Sequence, residues 1–68
     1  MSIVESLRKA VASGNLSEPF SAADFRVACP GWGHGTYNAW LYKHREGNPG
    51  GYRPYVRRVG RGKFVLIK

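Results

Sequence analysis

The sequence is poor in the groups that support catalysis, disulfide bonding or membrane insertion. Cys29 is the one cysteine among 68 residues, so a disulfide within the chain is excluded. Its four carboxylates lie at no spacing typical of an acid–base pair: Glu5, Glu18, Asp24 and Glu46. The chain has no apolar run of about 20 residues and no N-terminal pattern of a secretory signal. We therefore expect a cytoplasmic protein that is not an enzyme.

Metal and cofactor motifs are also missing. His34 and His44 are ten residues apart and have only one cysteine as a further soft ligand, which does not predict a zinc site. Glycines 31, 33 and 35 follow a proline rather than a strand, unlike a nucleotide-binding loop. We expect no metal and no cofactor, and we expect Cys29 to be a small core residue.

The positive charge is confined to one half of the chain. Three basic and three acidic residues balance up to His34, whereas eight basic residues face Glu46 alone from Gly35 onward, so the whole net charge of +7 lies there. A surface that serves only solubility usually mixes both signs. The asymmetry indicates a polyanionic partner such as nucleic acid.

Two helices are predicted in the first half. Ser2 can cap a helix over residues 3–13, which has one apolar face. Ser21, followed by Asp24, predicts the start of a second helix over residues 22–29, which Pro30 ends. Residues 16–20, between the helices, predict an extended connector or a strand of about two or three residues.

A third helix, over residues 36–46, follows the glycine-rich turn 31–35. Four residues share its packing side: Tyr37, Trp40, Leu41 and His44. Four others fall on the remaining sides: Asn38, Tyr42, Lys43 and Arg45. Trp32 in the turn either plugs the core, the interpretation that we favour, or forms a stacking platform on the surface.

Residues 55–67 predict a basic β-hairpin around Gly60-Arg61-Gly62. Pro54 belongs at an edge, so regular pairing is expected to start near Tyr55. Val56 and Val59 are three residues apart, which breaks strict alternation. Either a bulge lies between them or one valine faces outward.

This order of elements predicts an α+β winged helix-turn-helix that fills residues 1–68. In that fold the third helix enters the major groove of DNA, and the hairpin, or wing, lies along the adjacent backbone. We therefore predict a monomeric, nucleoid-associated protein that binds double-stranded DNA. The predicted contacts are Thr36, Asn38, Tyr42, Lys43 and Arg45 on helix three, and Arg57, Arg58, Arg61 and Lys63 on the wing.

These contacts divide by chemistry. Asn38, Tyr42 and Arg45 carry groups that suit base edges, with Arg45 also able to reach a phosphate. Lys43 and the wing cations suit phosphates, and Thr36 at the start of the helix could hold one as well. The plainer interpretation is an ordinary exposed helix surface and a solvated strand edge.

Two other functions stay open. Exposed aromatic residues, for instance Trp32, Tyr52 and Tyr55, could make a protein-interaction module that docks an acidic partner or dimerises through the wing. Binding of single-stranded or structured RNA would require exposed aromatic residues on the wing for base stacking.

Four segments together carry a family resemblance: PFSAADFRVACPGW, GTYNAWLYKH, GNPGG and PYVRRVGRGKFVLI. The chain resembles the small bacterial winged-helix domains related to HARE-type helix-turn-helix domains, which occur alone or joined to restriction-like nucleases. The resemblance implies a third helix over 36–46, a wing over 55–67 and binding to duplex DNA. It also implies a role in sensing modified bases and a possible nuclease or other protein partner. It leaves open whether the chain is free-standing or a domain of a longer protein.

Overall fold

The computed structural model describes residues 2–67, which form three α-helices and then an antiparallel β-hairpin. The elements are α1 (Ile3–Ser13), α2 (Ala22–Ala28), α3 (Thr36–Lys43), β1 (Val56–Gly60) and β2 (Lys63–Leu66). Among the described residues, no helix has the length and apolar character needed to cross a membrane. The predicted α+β order of a winged helix is confirmed.

Local capping signals fix where the first two helices begin. The Ser2 hydroxyl accepts a hydrogen bond from the Glu5 amide at 3.3 Å. At α2 the Ser21 hydroxyl accepts from the Asp24 amide at 3.1 Å, and the Asp24 carboxylate accepts from the Ser21 amide at 3.0 Å. This reciprocal pair satisfies two amides that the helix itself leaves free. The second helix ends at Ala28, one residue before its predicted end.

Phe25 of α2 lies at the centre of the core. Its ring makes edge-to-face contacts with Phe20, Tyr37 and Trp40, at centroid distances of 6.1, 5.1 and 5.8 Å. The buried core contains ten side chains: Leu7, Ala10, Leu16, Phe20, Phe25, Cys29, Tyr37, Leu41, Val56 and Phe64. Since these come from all five elements and the connector, one core holds the helices and the hairpin together.

Single bridges extend the hairpin on both edges. Phe20 pairs antiparallel with Phe64 through two backbone hydrogen bonds of 2.9 and 2.8 Å, so the predicted extended connector lies beside β2. On the other edge Arg45 pairs in parallel with Val56. The Glu18 carboxylate accepts a further hydrogen bond from the Leu66 amide. Both edges of the hairpin are thus covered over part of their length, which limits pairing with other chains.

The spacing of Val56 and Val59 in β1 reflects both a bulge and an outward-facing valine. Val56 is fully buried, whereas Val59 is 51% exposed. The pairing register shifts between Arg58 and Gly60, so a bulge lies at Val59. The extra residue turns Val59 outward and lets the strand continue to the tip.

The third helix is shorter than predicted. It ends at Lys43, with His44 as its C-cap, so the predicted end at residue 46 is wrong. The backbone beyond Lys43 pairs with β1 instead: the His44 carbonyl accepts from the Tyr55 amide at 2.8 Å, and the Glu46 amide donates to Val56 at 2.7 Å. Backbone groups used in this way cannot continue the helix.

The α2 cap should make stability depend on pH. Hydrogen bonds from the Ser21 amide and hydroxyl, helped by the charge of Lys63, lower the pKa of Asp24 below its ordinary value of 3.8. The ionised carboxylate therefore stabilises the fold above that value, and this contribution disappears as the pH falls through the lowered pKa. We expect Asp24→Asn to be less stable than wild type at neutral pH and equally stable at about pH 2. Urea unfolding followed by circular dichroism at both pH values measures this, and a pH-independent difference would contradict it.

Candidate nucleic-acid interface

The exposed side of α3 is the first part of the candidate interface. Tyr37 and Leu41 are buried and Trp40 is half-buried, which leaves one side of the helix in solvent. That side carries Asn38, Ala39, Tyr42 and Lys43. The predicted separation into a packing side and an exposed side is therefore confirmed within the helix. It presents an amide, a phenol and an ammonium group to solvent.

Arg45 does not lie on this helix. It lies in the extended segment beside β1 and is half-buried, because the helix has already ended at Lys43. The predicted placement of Arg45 on the helix surface is wrong for that reason. Thr36 is the first residue of α3, as expected, and its amide donates to the Gly33 carbonyl at 3.0 Å.

The C-terminal end of α3 is held by a side chain from the following loop. The Asn48 amide group donates to the Tyr42 carbonyl, one of the last carbonyls of the helix, and its oxygen accepts from the Gly50 amide at 2.7 Å. His44 Nδ1 lies 2.8 Å from the Arg53 carbonyl oxygen. These bonds fold the loop against the helix end. The half-buried position of His44 agrees with its predicted place on the packing side.

Two aromatic contacts fix the exposed side chains of α3. The Tyr42 ring meets Phe64 of β2 edge-to-face at 5.8 Å and remains 40% exposed. The Lys43 ammonium lies 4.9 Å from the centre of the Tyr52 ring. The first contact joins the helix directly to the hairpin, so aromatic packing helps to set their relative position.

The four predicted wing cations are all exposed, but they do not share one face. Arg57 pairs across the hairpin with Val65, and Arg58 pairs with the buried Phe64. Since cross-strand partners share a face of the sheet, Arg58 lies on the face that contacts α3, and Arg57 lies on the opposite face. Arg61 is at the tip, in the turn that Gly62 closes with a positive φ of 66°.

Arg57 already has an anionic partner. Its guanidinium donates to both carboxylate oxygens of Glu46, at 3.2 and 3.3 Å, although both side chains are at least half exposed. Such exposed pairs contribute about 1 kcal/mol or less. Arg58 Nε donates to the Gly60 carbonyl at 3.2 Å, which steadies its side chain near the tip. The charge of Lys63 adds to the hydrogen bonds from Ser21 in lowering the pKa of Asp24, near the start of α2.

One polar cluster, between α2 and α3, is not predicted by any sequence pattern. Arg26 Nη1 lies 2.8 Å from Nδ1 and 3.0 Å from Nε2 of His34. The two side chains line an open groove of about 340 Å³ together with Ala22, Ala23, Gly35 and Asn38. No local pattern could have identified this pair, because the bend of the glycine-rich turn brings the two residues together.

The turn itself is held by Tyr37. Its buried hydroxyl donates to the Cys29 carbonyl and accepts from the Trp32 amide at 3.3 Å. Trp32 is half-buried and packs edge-to-face on the Tyr37 ring, so the core-plug interpretation of Trp32 is confirmed. Cys29 is buried and donates to the Ser6 carbonyl at 3.5 Å, and burial raises the pKa of its thiol.

Within residues 2–67 no three His, Cys, Asp or Glu side chains come together in a way that could hold a metal ion. No protein-family model matches the chain, and neither a curated protein nor a solved structure matches it significantly.

Replacing Tyr37 tests how the turn is held. Tyr37→Phe keeps the ring but removes the hydroxyl that bridges the Cys29 carbonyl and the Trp32 amide. An unsatisfied buried polar group costs about 1–3 kcal/mol, so we expect a loss of unfolding free energy of that size. Urea unfolding measures it. Tyr42→Phe is the matched control, since its ring is part-exposed, and an equal loss in both variants would contradict this role of the Tyr37 hydroxyl.

Proposed function

We propose that the chain binds double-stranded DNA without catalysing a reaction, with α3 in the major groove and the wing along the neighbouring backbone. The observation that carries this proposal is the contact of Tyr42 of α3 with Phe64 of β2, since Phe64 shares its face of the hairpin with Arg58. The exposed side of α3 therefore lies beside the basic wing, which has Arg61 at its tip. A polar helix side next to a basic hairpin suits a duplex, whose phosphates flank the groove.

Base recognition is assigned to the exposed side of α3. The Asn38 amide can pair with N6 and N7 of adenine, and the exposed edge of Tyr42 can contact the methyl group of thymine or of a modified cytosine. Lys43 contacts a phosphate. Because Arg45 lies beside β1 and not on α3, its proposed contact is with the DNA backbone and not with a base edge. On the basis of the HARE-type resemblance, we also propose that the chain is sensitive to modified cytosine. The same resemblance suggests that it acts beside a nuclease or other protein partner.

Two observations favour duplex DNA over the alternatives. Of the aromatic residues that a protein-interaction surface would use, Trp32 and Tyr55 pack against the core, and the exposed Tyr52 lies beside Lys43. The aromatic residue of the wing strands, Phe64, is buried, so those strands offer no platform for stacking single-stranded bases. We therefore propose that the protein binds duplex DNA as a monomer and is associated with the nucleoid.

The primary experiment is a fluorescence-anisotropy titration with mixed-sequence duplex DNA, unmodified and cytosine-modified, at several salt concentrations. If about five phosphates are neutralised, log K should fall with log salt at a slope of about −4.5. A preference for one duplex would support modification sensing. Competition by single-stranded DNA or RNA as effective as the duplex, or affinity that is independent of salt, would contradict the proposal.

The wing tip should contribute one full phosphate contact. We expect Arg61→Gln to weaken binding to all duplex sequences alike and to reduce the salt slope by about 1. Lys9→Gln on α1 is the matched control, because it removes the same charge away from the wing and α3. Equal losses of affinity in the two variants would mean that only net charge matters, and would contradict a contact at the tip.

Glu46 should restrain binding. It is the one carboxylate in the basic half of the chain, and it holds the guanidinium of Arg57. We expect Glu46→Gln to raise duplex affinity by up to about five-fold, because it removes a repulsive charge and leaves the charge of Arg57 unneutralised. Anisotropy titration measures the change. Unchanged or weaker binding would contradict this role of Glu46.

A further inference from the structure

The groove between α2 and α3 has the chemistry of a site for a single phosphate. Its lining contains Arg26, the ring of His34 and the amide of Asn38, while Ala22, Ala23 and Gly35 keep it open. No carboxylate is among these residues. An added Cβ at Gly35 would meet no atom within 4 Å, which confirms that space is free at this point.

We propose that Arg26 and His34 together bind one backbone phosphate of the DNA, and that His34 takes up a proton as they do so. The proposal rests on the proposed function, since the ligand is a phosphate of the bound duplex. The groove is open to solvent and has room for a phosphate group, and Asn38 of α3 is part of its lining. A phosphate held here would therefore flank the bases that α3 reaches.

The contact between Arg26 and His34 couples the proton to the phosphate. Arg26 Nη1 lies 2.8 and 3.0 Å from the two ring nitrogens of His34. A neutral imidazole has one acceptor nitrogen, so the guanidinium can donate to one of the two. A protonated ring has no acceptor and would place a second positive charge against Arg26. A phosphate between them removes this conflict, because its oxygens accept from both side chains. The proton, taken from solvent, and the phosphate should therefore bind cooperatively.

Within residues 2–67, no charged side chain other than Arg26 lines the groove beside His34. The other lining residues are neutral: Ala22 and Ala23 of α2, the N-cap Gly35, and Asn38 of α3. Asp24 of α2 is held by Ser21 in the helix cap. The N-terminal end of α3 has no side-chain cap, so its positive end is not neutralised beside the groove.

The test is duplex affinity at about pH 6 and about pH 8, by anisotropy, for wild type, Arg26→Gln and His34→Gln. We expect wild type to bind several-fold more tightly at the lower pH and His34→Gln to lose most of that difference, while Arg26→Gln weakens binding at both values. Lys9→Gln and Arg61→Gln are controls for net charge and for the wing, and thermal melting confirms that each variant is folded.

Each result supports or refutes either the phosphate site or the proposed function. A flat pH response in His34→Gln, with the wild-type response retained in Arg61→Gln, supports the phosphate site. If His34→Gln keeps the wild-type response, or if Arg26→Gln binds as Lys9→Gln does while Arg61→Gln weakens binding, the site is refuted and DNA binding through the wing stands. If wild type does not bind the duplex at either pH, the proposed function itself fails.

Discussion

The packing of Phe25 against three rings from two other segments is the constraint on which the rest of the structure depends. Phe20 joins the connector to β2, and Tyr37 and Trp40 belong to α3, so one buried ring positions both halves of the candidate interface. A domain of this size has about 3–5 kcal/mol of net stability, and removing a buried phenyl ring costs a similar amount. The candidate interface therefore depends on a core in which the loss of one such ring would cost about as much as the whole net stability.

Sequence patterns predicted those features that are set by neighbouring residues. Ser21 and Asp24 are three residues apart, so their capping pair could be inferred before the fold was known. Gly14, with a positive φ of 85°, ends α1 where the sequence predicts. The exposed side of α3 followed from helical periodicity alone, since Tyr37 and Leu41 are one turn apart.

Features that depend on distant pairing could not be predicted in this way. The end of α3 is decided by hydrogen bonds from Tyr55 and to Val56, which lie beyond a glycine-rich loop. Helical periodicity continues through Arg45, so sequence alone placed that residue on the wrong element. Strand register decides which of Arg57 and Arg58 shares the face of Phe64, and the bend of the turn brings Arg26 and His34 together.

The charged residues are grouped differently in the fold than along the sequence. The sequence divides into a neutral half and a basic half, yet the neutral half supplies Arg26 to the groove beside α3, and the basic half supplies Glu46 to hold Arg57. The proposed DNA-binding surface is therefore not the same set of residues as the C-terminal cations. It is narrower on the wing and extends further along the start of α3.

The most direct test of this account is an NMR titration of the labelled protein with a short mixed-sequence duplex, which maps contacts residue by residue. We predict that amide shifts concentrate on the exposed side of α3, on the turn around His34 and at the wing tip near Arg61, with α1 unchanged. Shifts centred on α1 instead, or none at low salt, would contradict the claim that α3 and the wing form one DNA-binding surface.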